Sequence, residues 1–450
     1  MIKTRFAPSP TGWLHIGGVR TALFSWLFAK NQGGSFCIRI DDTDTTRSTD
    51  EYCNSIISAL NLLGLESDDE VTYQSKRFNI YIDHIEALLE SKSAYYDKIE
   101  VNEKTKDTDL NIQYDNRLNK PGHVIRFKNS TEKSITLKDM VHDDITFDPK
   151  TFHDVVILRS NGVPTYNLTS VVDDAEMGIT HVIRGDDHLS NTAIQINLFN
   201  ALGHKPPKFG HLPMIHGSDG KRLSKRHGAV NINNFLEDGY LVEALINYLA
   251  KTGWSHKDEE FFTIDQLVKL FSIHNVTKSS AIFDYDKLNW LNQHYIKNKE
   301  IKDVADMIIP YLDSLGVKVE DREYLETILN LGIDRDYNLK NIAAGITHYF
   351  HDELKYDLSN FKGIKVDLSR RILSNTIEKL EKNDFQAKED ISNSIKEVCN
   401  DMNLKFKDIG PVIRFGLTAK LKAPSIDELC FTLKKTNTLK RLRNFHEYLN

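Results

Sequence analysis

The chain has 450 residues, of which 40% are hydrophobic and 27% charged, and its mean hydropathy is −0.42. At roughly 150 residues per domain this length predicts about three domains, with cores that need no disulfide or metal to hold them. Lys and Arg number 58 against 64 Asp and Glu, so the formal charge of −6 excludes a uniformly basic nucleic-acid coat while leaving room for a local cationic patch.

Residues 1–10 (MIKTRFAPSP) lack the apolar core of a signal peptide. Ile2, Thr4 and Phe6 alternate with Lys3, Arg5 and Ala7, which predicts a short strand broken by Pro8, Pro10 and Gly12. After Gly17 and Gly18, apolar residues at Val19, Ala22, Leu23, Trp26 and Leu27 mark one face of a helix. The Gly33–Gly34 break leads into a second strand, Ser35–Ile40. Strand, Gly-rich turn, helix and strand open a parallel α/β sheet. From about 82 to 150 the text changes, and the polar stretch Lys98–Lys120 reads as an inserted module. Apolar strands return at Val155–Leu158 and Thr180–Arg184, which predicts one sheet interrupted by a second domain. From about 302 the spacing is helical, through Val304, Met307, Ile308, Tyr311 and Leu315, then Leu368, Ile372, Leu373, Ile377 and Leu380. The tail turns basic with Lys434, Lys435, Lys440, Arg441 and Arg443. No run approaches the roughly 18 apolar residues needed to span a membrane.

Two segments carry chemistry. In Arg5–Gly18 (R-F-A-P-S-P-T-G-W-L-H-I-G-G), the glycines let a flat ring or phosphate approach the backbone where a strand turns into a helix. His15 is placed to donate an N–H to a phosphate oxygen. Taken alone, H-x-G-G is better explained by a helix cap and a tight turn. In Gly220–Gly228 (G-K-R-L-S-K-R-H-G), a loop with Lys225 is suited to clamp a triphosphate and offset charge growing in an in-line transition state. On its own the segment is also explained by a solvated basic loop or a backbone contact to nucleic acid, and it is not a P-loop.

The order of the two segments, with Arg39-Ile40-Asp41-Asp42-Thr43-Asp44 between them, resembles the class I aminoacyl-tRNA synthetases, specifically the bacterial-type glutamyl-tRNA synthetases. The opening motif is matched almost letter for letter, and Arg222-Leu223-Ser224-Lys225-Arg226 stands at the family's KMSKS element. The likeness continues through V-P-T-Y-N-L at 163–168, V-I-R-G at 182–185, H-L-S-N-T at 188–192, F-D-Y-D-K-L-N-W-L-N at 283–292 and P-V-I-R-F-G-L-T at 411–418. It implies a Rossmann-type catalytic domain at 1–81 and 152–230, interrupted by an α+β acceptor-binding insert at 82–151. A stem-contact domain at 231–301 and helical anticodon-binding domains at 302–450 follow.

By the same resemblance the chain is expected to activate L-glutamate with ATP and Mg²⁺ and to load tRNA-Glu, also or instead tRNA-Gln, as a cytoplasmic monomer that contacts no membrane. His15 and Lys225 are expected to hold the phosphates through the chemical step. Gly17 and Gly18 give room to ATP, Met214 and Ile215 bracket the adenine, and Asp187 faces the ribose. Arg222, Leu223, Ser224 and Arg226 complete the ATP loop. The glutamate site takes Arg5, Ala7, Ser9, Asp41, Tyr166, Ser170 and Arg184. Arginine suits a carboxylate because its planar fork binds both oxygens, and the substrate ammonium needs the anion of Asp41.

Three positions depart from the family pattern. Asp41 stands where Glu is usual, Ser170 where Asn is common, and Arg222 replaces the first Lys of KMSKS. Many relatives carry a Cys-based zinc site after a Tyr-Tyr pair, whereas Tyr95-Tyr96 is followed here by Asp97-Lys98-Ile99-Glu100. The four cysteines, Cys37, Cys53, Cys399 and Cys430, form no C-x-C or C-x-x-C pair, so a structural zinc is expected to be absent and a disulfide framework is disfavoured. Three other readings stay open. A glutaminyl-tRNA synthetase ends in β-barrels and usually has His at the position of Gly18. A glutamylating tRNA-modification paralogue lacks the helical C-terminal domains. A catalytically silent RNA-binding paralogue has no need to retain His15, Gly17, Lys225, Arg5 and Arg184.

Overall fold

The computed structural model describes residues 1–44, 47–98, 117–129, 134–223, 231–361 and 364–450. They form two compact units, one of residues 1–236 and 242–288 and the other of residues 237–241 and 289–450. The stretch expected as a stem-contact domain, 231–301, is therefore shared between them.

The first unit begins with strand β1 (Lys3–Phe6), helix α1 (Ile16–Asn31), β2 (Ser35–Ile40), α2 (Asp50–Leu62), β3 (Thr72–Tyr73) and α3 (Phe78–Glu90). β2 lies parallel to β1 on one edge and to β3 on the other. The expected alternation of β1 does not hold, because Thr4, Arg5 and Phe6 are buried in succession. A parallel strand covered by helices on both faces buries neighbours rather than alternates. α1 is likewise buried beyond its five-residue stripe, including Phe24 and Ser25, since it also packs against the later helices α7 (Val242–Lys251) and α8 (Ile264–Leu270). At the return from α1, a Cβ on Gly34 would lie 2.3 Å from the Ile2 carbonyl oxygen. No other residue fits there without moving the strand.

The insert contributes β4 (Ala94–Lys98), β5 (His123–Phe127), β6 (Ile135–Leu137), β7 (Ile145–Phe147) and β8 (Val155–Leu158). β4, β5 and β8 form an antiparallel sheet, and β6 and β7 a separate hairpin. This corrects the expectation that Val155–Leu158 resumes the parallel sheet. Its four apolar residues specify a buried strand but not its partner, and the partner is β5. The parallel sheet resumes after α4 (Tyr166–Glu176), at β9 (His181–Gly185), where the Thr180 N–H donates to the Lys3 carbonyl at 3.0 Å. α5 (Leu189–Ala201) then leads to β10 (Lys208–Leu212), parallel to β9. One core joins both sheets, with Tyr81, Ile85, Phe127, Leu158, Val182 and Phe209 in contact across them. β11 (Ile215–His216), α6 (Ile232–Glu237) and β12 (Ala281–Ile282), which pairs with β11, complete the unit. α9 (Tyr285–Lys297) follows.

The second unit is helical, as expected: α10 (Ile301–Ser314), α11 (Arg322–Gly332), α12 (Leu339–Ile346), α13 (Val366–Glu381), α14 (Lys388–Asp401), α15 (Phe406–Thr418) and α16 (Ile426–Tyr448). Side chains of Asp321 and Asn338 cap α11 and α12, each contributing about 1 kcal/mol. The basic tail is less cationic at the surface than its sequence suggests. Arg441 is buried and donates to the carbonyls of Leu417, His348 and His351. Arg443 pairs with Glu381 at 2.5 Å.

Candidate active site

β1 and β9 run side by side and end at the same edge, opposite the N-terminus of α1. The C-terminal edge of a parallel sheet is where open α/β folds bind ligands. A cleft of about 960 Å³ opens there, lined by Arg5, Ala7, Ser9, His15, Gly17, Gly18, Asp41, Tyr166, Arg184, Asp187, Met214, Ile215, Arg222 and Leu223 among others. The structure thus brings together fourteen of the eighteen expected site residues. Ser170 is not in the lining; it is buried on α4, and its hydroxyl has no hydrogen-bond partner among the described residues. Ser224, Lys225 and Arg226 lie outside the described residues.

His15 is the N-cap of α1, so the cap reading is correct, and the cap also faces the cleft. Its Nδ1 accepts the Gly17 N–H at 3.2 Å. The neutral ring then carries its proton on Nε2, as a donor. Burial and the Arg222 cation hold its pKa below the ordinary histidine value, which keeps the ring neutral. A Cβ at Gly17 would meet only His15 Nδ1, at an unstrained 3.6 Å, so packing does not demand this glycine. Its absent side chain instead leaves the cleft floor open. On the opposite wall Asp187 accepts from Arg222 at 3.4 Å, and Met214 and Ile215 border the same space. Gly185 permits this arrangement, since a Cβ there would fall 2.5 Å from Asp187 Oδ1.

The two pocket arginines are held in contrasting ways. Arg5, 3% exposed, donates from Nε to Asp174 Oδ1 at 3.0 Å, and its two Nη groups have no hydrogen-bond partner among the described residues. The same oxygen accepts from Arg39 Nη1 at 2.6 Å, while Arg39 Nε donates to Asp41 Oδ1 at 2.7 Å. Asp173 takes bonds from Gln74, Arg77 and Tyr81, each at 2.8 Å, and lies 3.6 Å from Arg39. Arg5, Arg39 and Arg77 therefore balance Asp41, Asp173 and Asp174 in one buried network. Burial pushes the Asp41 carboxyl up to about 6, with Arg39 pulling against it. Burial also acts on Asp174, yet Arg5 and Arg39 hold that carboxyl below its ordinary value.

Arg184 is 5% exposed, and no carboxylate lies within 4.0 Å of it among the described residues. Neutral groups hold it instead. Nη2 donates to Thr192 Oγ1 at 2.7 Å, Nη1 to the Tyr166 hydroxyl at 3.3 Å and Nε to His211 Nε2 at 3.3 Å. Burial lowers its pKa, but a guanidinium stays charged at any working pH. A buried cation without a counter-charge, facing a cleft, is an anion site.

Sequence reasoning missed the supporting shell. The adjacent Asp173 and Asp174, directly after Val171 and Val172 on α4, were a legible sign of buried pairing. His211, Thr192 and Asp139 carried no comparable signal, because their partners are distant in sequence. Trp13, 45% exposed, meets Tyr52 edge-on at 5.4 Å at the cleft margin and was also passed over. No group of three or more His, Cys, Asp or Glu side chains among the described residues could hold a metal ion.

The class of protein follows from this fold and cleft. Residues 1–290 match the family described as tRNA synthetases class I (E and Q), catalytic domain, and residues 303–446 match the anticodon binding domain. The chain is 40% identical over 455 residues to the glutamate–tRNA ligase of Nitratidesulfovibrio vulgaris (strain DP4), covering 98% of each chain. It is 37% identical over 467 residues to that of Francisella tularensis subsp. novicida (strain U112), covering each completely. The crystal structure of a glutamate tRNA ligase from Elizabethkingia meningosepticum in complex with its amino acid is similar over the whole of both chains, at a TM-score of 0.84 and 30% identity. The chain belongs to the glutamate–tRNA ligase family.

Proposed function

We propose that this chain activates L-glutamate with MgATP and transfers the glutamyl group to the 3′-terminal adenosine of tRNA-Glu, acting as a cytoplasmic monomer. The observation that carries the substrate assignment is Arg184, a buried cleft cation left without a carboxylate partner. The γ-carboxylate of glutamate supplies that missing charge. Arg5 reinforces it through its unoccupied Nη groups, and Asp41 takes the substrate ammonium. Tyr166, Ser9 and the backbone at Ala7 complete the wall. Ser170, buried on α4, takes no part in that wall.

In the first step a glutamate α-carboxylate oxygen attacks the α-phosphorus of ATP. The bond from that phosphorus to the bridging oxygen breaks, and pyrophosphate leaves with the electron pair. The protein forms no covalent bond, so positioning and charge stabilisation supply the rate. His15 donates from Nε2 to a phosphate oxygen while the N-terminus of α1 presents backbone N–H groups to the same charge. Lys225 and Arg222 draw the leaving pyrophosphate. Gly17 and Gly18 leave room for the nucleotide, Met214 and Ile215 flank the adenine, and Asp187 accepts from the ribose. Mg²⁺ arrives with the ATP phosphates. In the second step the 3′-terminal adenosine hydroxyl attacks the acyl carbon and AMP leaves.

ATP–pyrophosphate exchange tests this reading, run with glutamate and with glutamine, each with and without tRNA. Glutamine places a neutral amide against Arg184 and leaves that charge unbalanced. Glutamate is therefore expected to exceed glutamine by on the order of 100-fold or more in kcat/KM. Equal exchange with the two amino acids would overturn the assignment of Arg184.

A further inference from the structure

Arg184 is held from behind by a buried pair that lies away from the cleft. Its Nε can only donate, so His211 Nε2, 3.3 Å away, must present a lone pair. Thr192, which accepts from Arg184 Nη2, points its hydroxyl at the same nitrogen from 2.9 Å. The His211 proton therefore sits on Nδ1, which donates to Asp139 Oδ2 at 2.6 Å. Both side chains are wholly buried.

Asp139 is itself fixed. Its Oδ1 accepts the backbone N–H groups of Val141, His142 and His211 at 2.9, 3.0 and 3.2 Å. It sits in the turn between β6 and β7, and the next residue, Met140, donates its N–H to the Phe209 carbonyl of β10 at 2.9 Å. Gly210 allows this approach, since a Cβ there would meet Met140 Cε at 3.1 Å. The turn of the insert is thus docked on the strand that carries His211.

We propose that Asp139 and His211 are positioning residues for Arg184: Asp139 fixes the His211 tautomer, and His211 Nε2 fixes the guanidinium that takes the substrate anion. The other tautomer would set an imidazole N–H against the Arg184 Nε–H, and the fork would turn away from the cleft. One imidazole thereby links the insert's β6–β7 turn to the amino-acid pocket. This rests on reading Arg184 as the residue that binds the γ-carboxylate, so Arg184→Ala is measured alongside.

The test is steady-state aminoacylation with the full-length protein, reading glutamate KM, ATP KM and kcat separately. His211→Asn keeps a donor for Asp139 and removes the acceptor for Arg184. It should raise glutamate KM about tenfold or more while ATP KM stays within about twofold. His211→Gln returns an amide oxygen near the Nε2 position and should bring glutamate KM back to within about threefold of wild type. Asp139→Asn can donate to Nδ1 and so release the tautomer, and should also raise glutamate KM; it carries the test if His211→Asn does not fold. Unchanged glutamate KM in these variants, with Arg184→Ala impaired, would overturn the positioning role. So would equal rises in both KM values, or no rescue by Gln, because either marks a purely structural residue. An unimpaired Arg184→Ala would instead overturn the pocket reading on which the proposal rests.

Discussion

Asp41 shows how burial tunes a short acidic side chain. Its carboxyl is pushed up to about 6 by desolvation, against the attraction of Arg39. An incoming ammonium binds only the ionised form. Below about pH 6 the free protein must lose a proton before glutamate can bind, so affinity falls toward a limit of about tenfold per pH unit, whereas above pH 6 it is flat. Direct binding of glutamate measured between pH 5 and 8 checks the sign. Asp41→Asn should bind weakly throughout and lose the step near pH 6. A step that survives in that variant would move its origin to another group. The residue types of Asp41, Arg5 and Arg184 suit a zwitterion with an anionic side chain, but their positions were singled out only through the resemblance to the family. Their partners were not legible. Asp174 lies 169 positions from Arg5, and nothing local in either segment announces the bond between them.

At the scale of elements, α1 serves two purposes from one stretch of sequence. His15 both ends the preceding loop as a cap and presents Nε2 to the cleft, so the two readings of H-x-G-G were never exclusive. Gly17, in the first turn, separates stability from function. Alanine there removes the helix penalty of glycine and is expected to stabilise the fold by up to about 1 kcal/mol, because its Cβ meets nothing closer than 3.6 Å. The same methyl group narrows the space for the nucleotide, so ATP KM should rise while Tm rises or holds. Thermal melting and ATP titration of Gly17→Ala check both halves. A lowered Tm would show that the glycine is needed by the fold. Strands were legible wherever burial alone decides them, as Ser35–Ile40 illustrates. Pairing was not, because Val155–Leu158 is apolar enough for either sheet and its choice of β5 is settled by the shared core around Phe127 and Leu158.

For the whole molecule, net charge proved a poor guide to where cations lie. The formal −6 is compatible with the local positive cleft of Arg5, Arg184 and Arg222, each of which lines it. The basic tail spends Arg441 on three backbone carbonyls inside the second unit, where sequence composition suggested a surface. The division into an α/β part and a helical part was legible from the pattern, since short apolar strand runs alternate with helical stripes in the first half whereas the spacing from about 302 onward is helical throughout. Residues 237–241 group with the second unit through bonds such as Leu241 N to Asn292 Oδ1 at 2.8 Å, which nothing local in that segment announces. The central claim concerns the complete chain, with both units present. It is tested most directly by incubating purified protein with ATP, Mg²⁺ and labelled glutamate or glutamine on separate tRNA-Glu and tRNA-Gln transcripts. The account predicts glutamyl-tRNA-Glu with stoichiometric AMP and pyrophosphate; loading of glutamine, or charging of tRNA-Gln alone, would contradict it.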